Sequence, residues 1–83
     1  MKMDRIIVAD DHAFVRMGII QILKDEFPFS FVQEAKDGTE LLQQVIEQDW
    51  DLVISDLDMP GKTGLEVLEH LRKNKPSTPV IIL

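Results

Sequence analysis

Two apolar runs in this chain end in acids. Ile6 to Ala9 runs into Asp10-Asp11, and Leu52 to Ser55 runs into Asp56-Leu57-Asp58. Short runs that are apolar without alternation read as strands of a parallel sheet covered on both faces. In such a sheet, ligands collect outside the carboxyl ends of the strands, at the switch point in strand order. If the two runs are neighbours, at least three carboxylates share one rim. Like charges held that close raise one another's pKa or demand a cation. Oxygen donors without a Cys or His framework favour a hard ion, and Mg²⁺ takes one or two carboxylates, keeps waters and leaves a place for a phosphate oxygen. The rim reads as a Mg²⁺-dependent phosphoryl site.

An aspartate beside Mg²⁺ can itself be the nucleophile and form an aspartyl-phosphate, because the ion screens the repulsion between carboxylate and phosphoryl group. Asp56, at the strand end, is the residue placed for it. Met59-Pro60-Gly61 then stops the strand, with Pro presetting φ and Gly permitting positive φ. The loop brings its carbonyls toward the ion.

The elements that must position these acids alternate along the chain. Strands are expected at Ile6 to Ala9, Phe31 to Ala35, Leu52 to Ile54 and Val80 to Leu83. Between them, Phe14 to Phe27 carries Val15, Ile19, Ile22 and Leu23, and Thr39 to Gln48 carries Leu41, Leu42, Val45 and Ile46 at helical spacing. The third helix is the best delimited: Thr63 and Glu66 form a capping box ahead of Leu65, Leu68 and Leu71, and Asn74 with Pro76 closes it. Asp37 and Glu40 frame the second helix in the same way. Strand and helix in strict alternation predict an α/β fold, a parallel sheet with helices on both faces.

Size and charge exclude several classes. Eighty-three residues make one domain at most, and 45% apolar with 29% charged residues is the composition of a folded globule. Nine Lys plus Arg against fifteen Asp plus Glu give a net charge of −6, so the basic stripe of a nucleic-acid binder is absent and no direct nucleic-acid contact is expected. No cysteine is present, which removes disulfides, Cys-ligated metals and thiol chemistry and permits a cytoplasmic location. The longest apolar runs are four residues, and Met1-Lys2-Met3-Asp4-Arg5 carries an acid before any signal core could form, so no membrane association is expected.

Asp10-Asp11, Asp56, and Met59-Pro60-Gly61 with Gly64 together resemble the receiver domain of two-component response regulators. The resemblance covers the whole chain. Asp10-Asp11-His12 after the first strand, Lys36-Asp37-Gly38 before the second helix and Pro79-Val80-Ile81-Ile82-Leu83 at the fourth strand are most similar to the subfamily whose receivers precede a LuxR-type helix-turn-helix. The resemblance implies a flavodoxin-like sheet of order 2-1-3-4-5, here cut to order 2-1-3-4 with three helices. It implies that Asp56 accepts a phosphoryl group from a sensor histidine kinase. Asp11 would ligate Mg²⁺ directly, Asp10 would act mainly through a bound water, and the main-chain carbonyl of Asp58 would complete the protein's share of the shell. Kinase choice in such domains falls to the first helix, where Arg16 is expected to be exposed.

The strand Val80 to Leu83 is also the last segment of the sequence, so the pattern predicts an incomplete domain spanning 1–83. Against the family, a hydroxyl residue after that strand, a fourth helix, a fifth strand with its terminal Lys and a fifth helix are wanting, which predicts slow phosphotransfer and impaired switching. Two other functions compete. Val53 to Asp58 also fits the strand end of haloacid-dehalogenase-like phosphohydrolases, with Asp56 as nucleophile and Asp58 as acid/base, although that family does not need Asp10-Asp11. Alternatively the chain is an interaction fragment without phosphoryl chemistry, whose unpaired fourth strand and bare apolar faces lead to a homodimer or larger species.

Other residues read more plainly. His12, with no second His nearby, reads as a helix start or surface residue, and His70 as a solvated side chain. Phe27, Phe29, Phe31 and Trp50 read as packing residues, and Lys62 as a solvated loop lysine. Asp58 has an equal claim to be a simple turn residue.

Overall fold

A computed structural model of the protein describes residues 3–83. Met1 and Lys2, which open the N-terminal stretch read above, lie outside the described residues. The elements follow the expected alternation: β1 (Arg5–Ala9), α1 (Ala13–Glu26), β2 (Phe31–Ala35), α2 (Gly38–Glu47), β3 (Leu52–Ser55), α3 (Gly64–Asn74) and β4 (Val80–Ile82). The sheet is parallel, in the order β2-β1-β3-β4. This is the flavodoxin-like arrangement, with β1 paired to both β2 and β3.

Each face of the sheet is covered by the apolar stripe of its helices. Ile7, Ala9 and Val53 face α2 and α3 and pack with Leu41, Val45, Val67 and Leu71. Ile6, Val8, Leu52 and Ile54 face α1 and pack with Leu23, Ile19 and Ile20. Alternate residues of one strand therefore serve different faces, and Ile6 to Ala9 of β1 and Leu52 to Ile54 of β3 are all apolar because both faces are dry. Trp50 is buried in the first cluster, as a packing residue should be.

The helix starts are chemical as well as hydrophobic. Asp37 accepts a hydrogen bond from the Glu40 amide at 2.8 Å, and Thr63 Oγ1 accepts one from the Glu66 amide at 3.2 Å, satisfying donors that have no partner inside the helix. At the far end of α2, Lys75 Nζ donates to the carbonyls of Val45 and Gln48 and pairs with Asp49. That cap joins α3 to α2 across the sheet face they share.

Several packing expectations are corrected, among them Ile46 on α2 and Leu65 on α3, which are 55% and 51% exposed. Val15 and Ile22, placed above on the apolar stripe of α1, are 47% and 62% exposed. The buried side of α1 is set by Ile19, Ile20 and Leu23, and on a helix of 3.6 residues per turn Val15 and Ile22 fall on its outer flank beside Phe14 and Gly18. Phe29 is 99% exposed, because the turn closed by the Ser30 amide and hydroxyl on the Phe27 carbonyl leaves it at the tip. Phe31 is half exposed but stacks on Trp50, with the Arg5 guanidinium over both rings at 5.1 and 4.8 Å.

Candidate functional site

Register brings the acids together. Ala9 pairs with Ser55 across β1 and β3, so the residues that follow, Asp10 and Asp56, leave the sheet side by side. The Asp56 amide donates to the Ala9 carbonyl at 2.9 Å, and the Asp10 amide donates to the Ala35 carbonyl at 3.2 Å. Both backbones are thus tied to neighbouring strands at the point where the side chains diverge from the core. Ser55, itself buried, donates its hydroxyl to the Asp56 carbonyl at 2.8 Å.

The result is a cluster in which Asp10, Asp11, His12 and Asp56 each offer one ligand atom, all within 4.8 Å of one another. Asp10 is buried, Asp11 and His12 are exposed and Asp56 is intermediate, so the group opens to solvent on one side. Asp58 is exposed and its carboxylate stands outside the cluster. The three carboxylates read from the sequence converge; the side chain of Asp58 does not join them.

Two further residues belong to the site. His12 occupies the N-cap position of α1, as the helix-start reading has it, yet its side chain makes no cap hydrogen bond. Instead Nδ1 lies 3.1 Å from Oδ1 of Asp10 and 3.1 Å from Oδ1 of Asp11. Its amide also donates to Asp10 Oδ1 at 2.7 Å. The hydrogen bond to Asp10 and the charges of Asp11 and Asp10 hold the imidazole pKa above its ordinary 6.5. Arg16, expected on the surface, is only 14% exposed along its side chain: it donates to the Asp10 main-chain carbonyl at 2.6 Å and to Glu34 at 2.7 Å. The signal for both was proximity alone, since His12 and Arg16 lie on the first turn after the acidic pair.

The loop after Asp56 is held from the opposite side. Gly61 takes φ of +79°, the backbone that the Met59-Pro60-Gly61 turn requires. The Gly38 amide donates to the Pro60 carbonyl at 3.1 Å, and a Cβ on Gly38 would lie 1.4 Å from the Lys62 carbonyl oxygen. Met59 is buried in the core cluster, and the Gly64 amide donates to the Leu57 carbonyl at 2.9 Å. Lys62 points along α3 toward Glu66 at 3.9 Å, half exposed.

The sequence model of the response regulator receiver domain matches residues 6–83. The chain belongs to this family. Among curated relatives it is 40% identical over 80 residues to the oxygen regulatory protein NreC of Staphylococcus epidermidis, covering 95% of the chain and 37% of that protein's length. Among solved structures, response regulator TrrA of Thermotoga maritima, in complex with Mg²⁺ and BeF, superposes with a TM-score of 0.87 at 36% identity over 96% of the chain and 68% of TrrA. The chemotaxis response regulator CheY4 of Vibrio cholerae gives 0.85 at 29% identity over 98% of the chain and 68% of CheY4. The chain is therefore a receiver of the two-component type, a signalling domain, and spans about two fifths of the length of the curated relatives it matches. The phosphohydrolase reading of Asp56 with Asp58 is not favoured. Among the described residues, no helix is long and apolar enough to cross a membrane.

Proposed function

We propose that this receiver accepts a phosphoryl group on Asp56 from the phosphohistidine of a sensor histidine kinase. Asp10, Asp11, Asp56 and the main-chain carbonyl of Asp58 would share one Mg²⁺. The observation that carries the reading is the convergence of Asp10, Asp11 and Asp56, with His12, within 4.8 Å at the carboxyl ends of two paired strands. The donor set suits the ion: carboxylates, one of them buried, and an open side toward solvent.

When bound, Mg²⁺ supplies positive charge that offsets the repulsion between a carboxylate and the incoming phosphoryl oxygens. The chain's own residues do the rest. An Asp56 carboxylate oxygen forms the new bond to phosphorus as the bond to the histidine nitrogen breaks, and that nitrogen keeps the electron pair and takes up a proton. Asp10 and Asp11 hold the acidic side of the site, and the tied backbone of Asp56 keeps its carboxylate aimed out of the sheet. On this reading the chain is a phosphoacceptor rather than an enzyme acting on a separate substrate.

The wider setting follows from the same proposal. The protein of which this receiver is typical would regulate transcription in the cytoplasm through a LuxR-type helix-turn-helix, with DNA contact made outside this chain, whose charge of −6 is unsuited to it.

Intact-mass analysis after incubation with acetyl phosphate and Mg²⁺ tests the function. The chain should gain one phosphoryl adduct that does not form when Mg²⁺ is chelated beforehand and is absent from Asp56→Asn. An adduct that persists in folded Asp56→Asn, or none in the folded chain, overturns it.

A further inference from the structure

The end of the sheet away from Asp10 and Asp56 carries a pocket of about 280 Å³, between the start of β1 and the turn that joins α1 to β2. Met3, Phe27, Pro28 and Phe29 give it apolar walls, and Asp4 and Glu26 bring two carboxylates to it. None of these residues takes part in the phosphoryl site. Pockets for cofactors and other small molecules run from about 300 to 1,000 Å³, so this one suits a single long side chain.

Its frame is fixed before anything binds. The Asp4 amide donates to Asp51 Oδ2 at 2.9 Å and the Asp4 carbonyl accepts from the Phe31 amide at 2.7 Å, which ties the start of β1 to its neighbours. On the other side the Ser30 amide and hydroxyl both donate to the Phe27 carbonyl, at 3.0 and 2.7 Å, and Pro28 restricts the turn between them. Phe29 therefore stands 99% exposed on a rigid tip, where covering its ring costs little ordering entropy.

Charge selects a cation. Glu26 is the last residue of α1, where a carboxylate adds to the negative end of the helix dipole instead of offsetting it. Among the described residues no cation pairs with Glu26, and the chain as a whole carries −6. Arg5, next to Asp4, is turned over Phe31 and Trp50 at 5.1 and 4.8 Å. That contact shows a guanidinium over aromatic rings at this same end of the fold. Arginine joins both chemistries, since its planar head stacks on rings and pairs with carboxylates in a fork, whereas an ammonium acts as a point charge.

We propose that this pocket docks an arginine of a partner protein, presented in a short segment whose neighbouring apolar residue covers Phe29. The guanidinium pairs with Glu26 while Asp4 adds negative charge, its stem lies along Phe27 and Pro28, and the apolar neighbour shields the Phe29 ring.

The test is an amide NMR titration of the isotope-labelled chain, with Mg²⁺ present, against the peptide acetyl-Ala-Leu-Arg-Leu-Ala-amide and the same peptide with Lys or Glu in place of Arg. The arginine peptide should shift the amides of Asp4 and of residues 27 to 31 saturably, the lysine peptide should bind more weakly, and the glutamate peptide should not bind. Phe29 and Glu26 are both exposed, so their variants keep the fold. Phe29→Ser and Glu26→Gln should each weaken the arginine peptide by about two- to fivefold. No saturable shift, equal binding of the glutamate peptide, shifts centred on Asp10, Asp11 and Asp56, or no loss in either variant overturns the docking site. Equal binding of the lysine peptide overturns the assignment to a guanidinium. Shifts of the same turn with the concentration of the chain alone, and none with peptide, would make a second copy the occupant and overturn the proposal.

Discussion

The guanidinium of Arg16 donates to the main-chain carbonyl of Asp10 at 2.6 Å while its other side holds Glu34 at 2.7 Å. A residue on the first helix thereby clamps the turn that carries the acidic pair to the neighbouring strand β2. Arg16→Met removes both bonds and should cost about 1 to 2 kcal/mol, as expected for hydrogen bonds to a charged group that is partly exposed. It should also weaken Mg²⁺ binding, because Asp10 and Asp11 lose the brace on their backbone. Urea unfolding and a Mg²⁺ titration check the two effects. Arg16→Lys should recover part of the stability but not the forked contact.

Much of this architecture was legible from the run-and-acid pattern. Ile6 to Ala9 and Leu52 to Ile54 are apolar on every residue, which predicts strands dry on both faces and so a position inside the sheet. Thr63 with Glu66 and Asp37 with Glu40 announce helix starts because the amides they satisfy are a fixed distance away in sequence. What could not be read was direction. Val15 and Ile22 are as apolar as Ile19 and Leu23, and only the docking of α1 on β1 decides which flank is buried. Likewise Arg16 reads as surface because its partners, a main-chain carbonyl and Glu34 on β2, are invisible to periodicity. His12 was legible as a helix start, but its ring contacts depend on a backbone turn that no spacing rule specifies.

The consequence for α1 is a contrast in cost. Leu41, fully buried on the inner face of α2, should lose about 2 to 5 kcal/mol on Leu41→Ala. Ile22→Ala, at 62% exposure, should stay within about 0.5 kcal/mol of the parent. Equal losses in chemical denaturation would mean that α1 is seated differently.

Gly38 marks where the loop before α2 meets the loop after Asp56. A methyl group there would overlap the Lys62 carbonyl oxygen at 1.4 Å, and a main-chain atom cannot swing away as a side chain would. Gly38→Ala should therefore cost about 3 kcal/mol, lowering the melting temperature by roughly 10 °C or more in a domain of this size. Differential scanning calorimetry gives the answer. An unchanged melting temperature would contradict the packing of the two loops.

His12 gives the site a pH dependence of defined sign. Its folded pKa lies above 6.5, first because of the hydrogen bond to Asp10 and then because of the charges of Asp11 and Asp10. A group whose pKa is raised by folding adds stability that is fully present below its unfolded value and is lost as pH rises through the folded one. The metal-free chain should thus lose the His12 contribution on going upward through that raised pKa. NMR titration of the imidazole should show the elevation, and Asp11→Asn should bring the value back toward 6.5. No change in Asp11→Asn would mean that the ring does not face Asp11 in solution.

The central claim is that the phosphoryl group goes to Asp56. Reduction of the phosphorylated chain with borohydride converts an aspartyl-phosphate to homoserine, and peptide mass mapping then locates the residue. The account predicts homoserine at position 56 alone, in an amount that falls when Mg²⁺ is withheld. Homoserine at Asp10, Asp11 or Asp58 instead, or an equal yield without Mg²⁺, would contradict it.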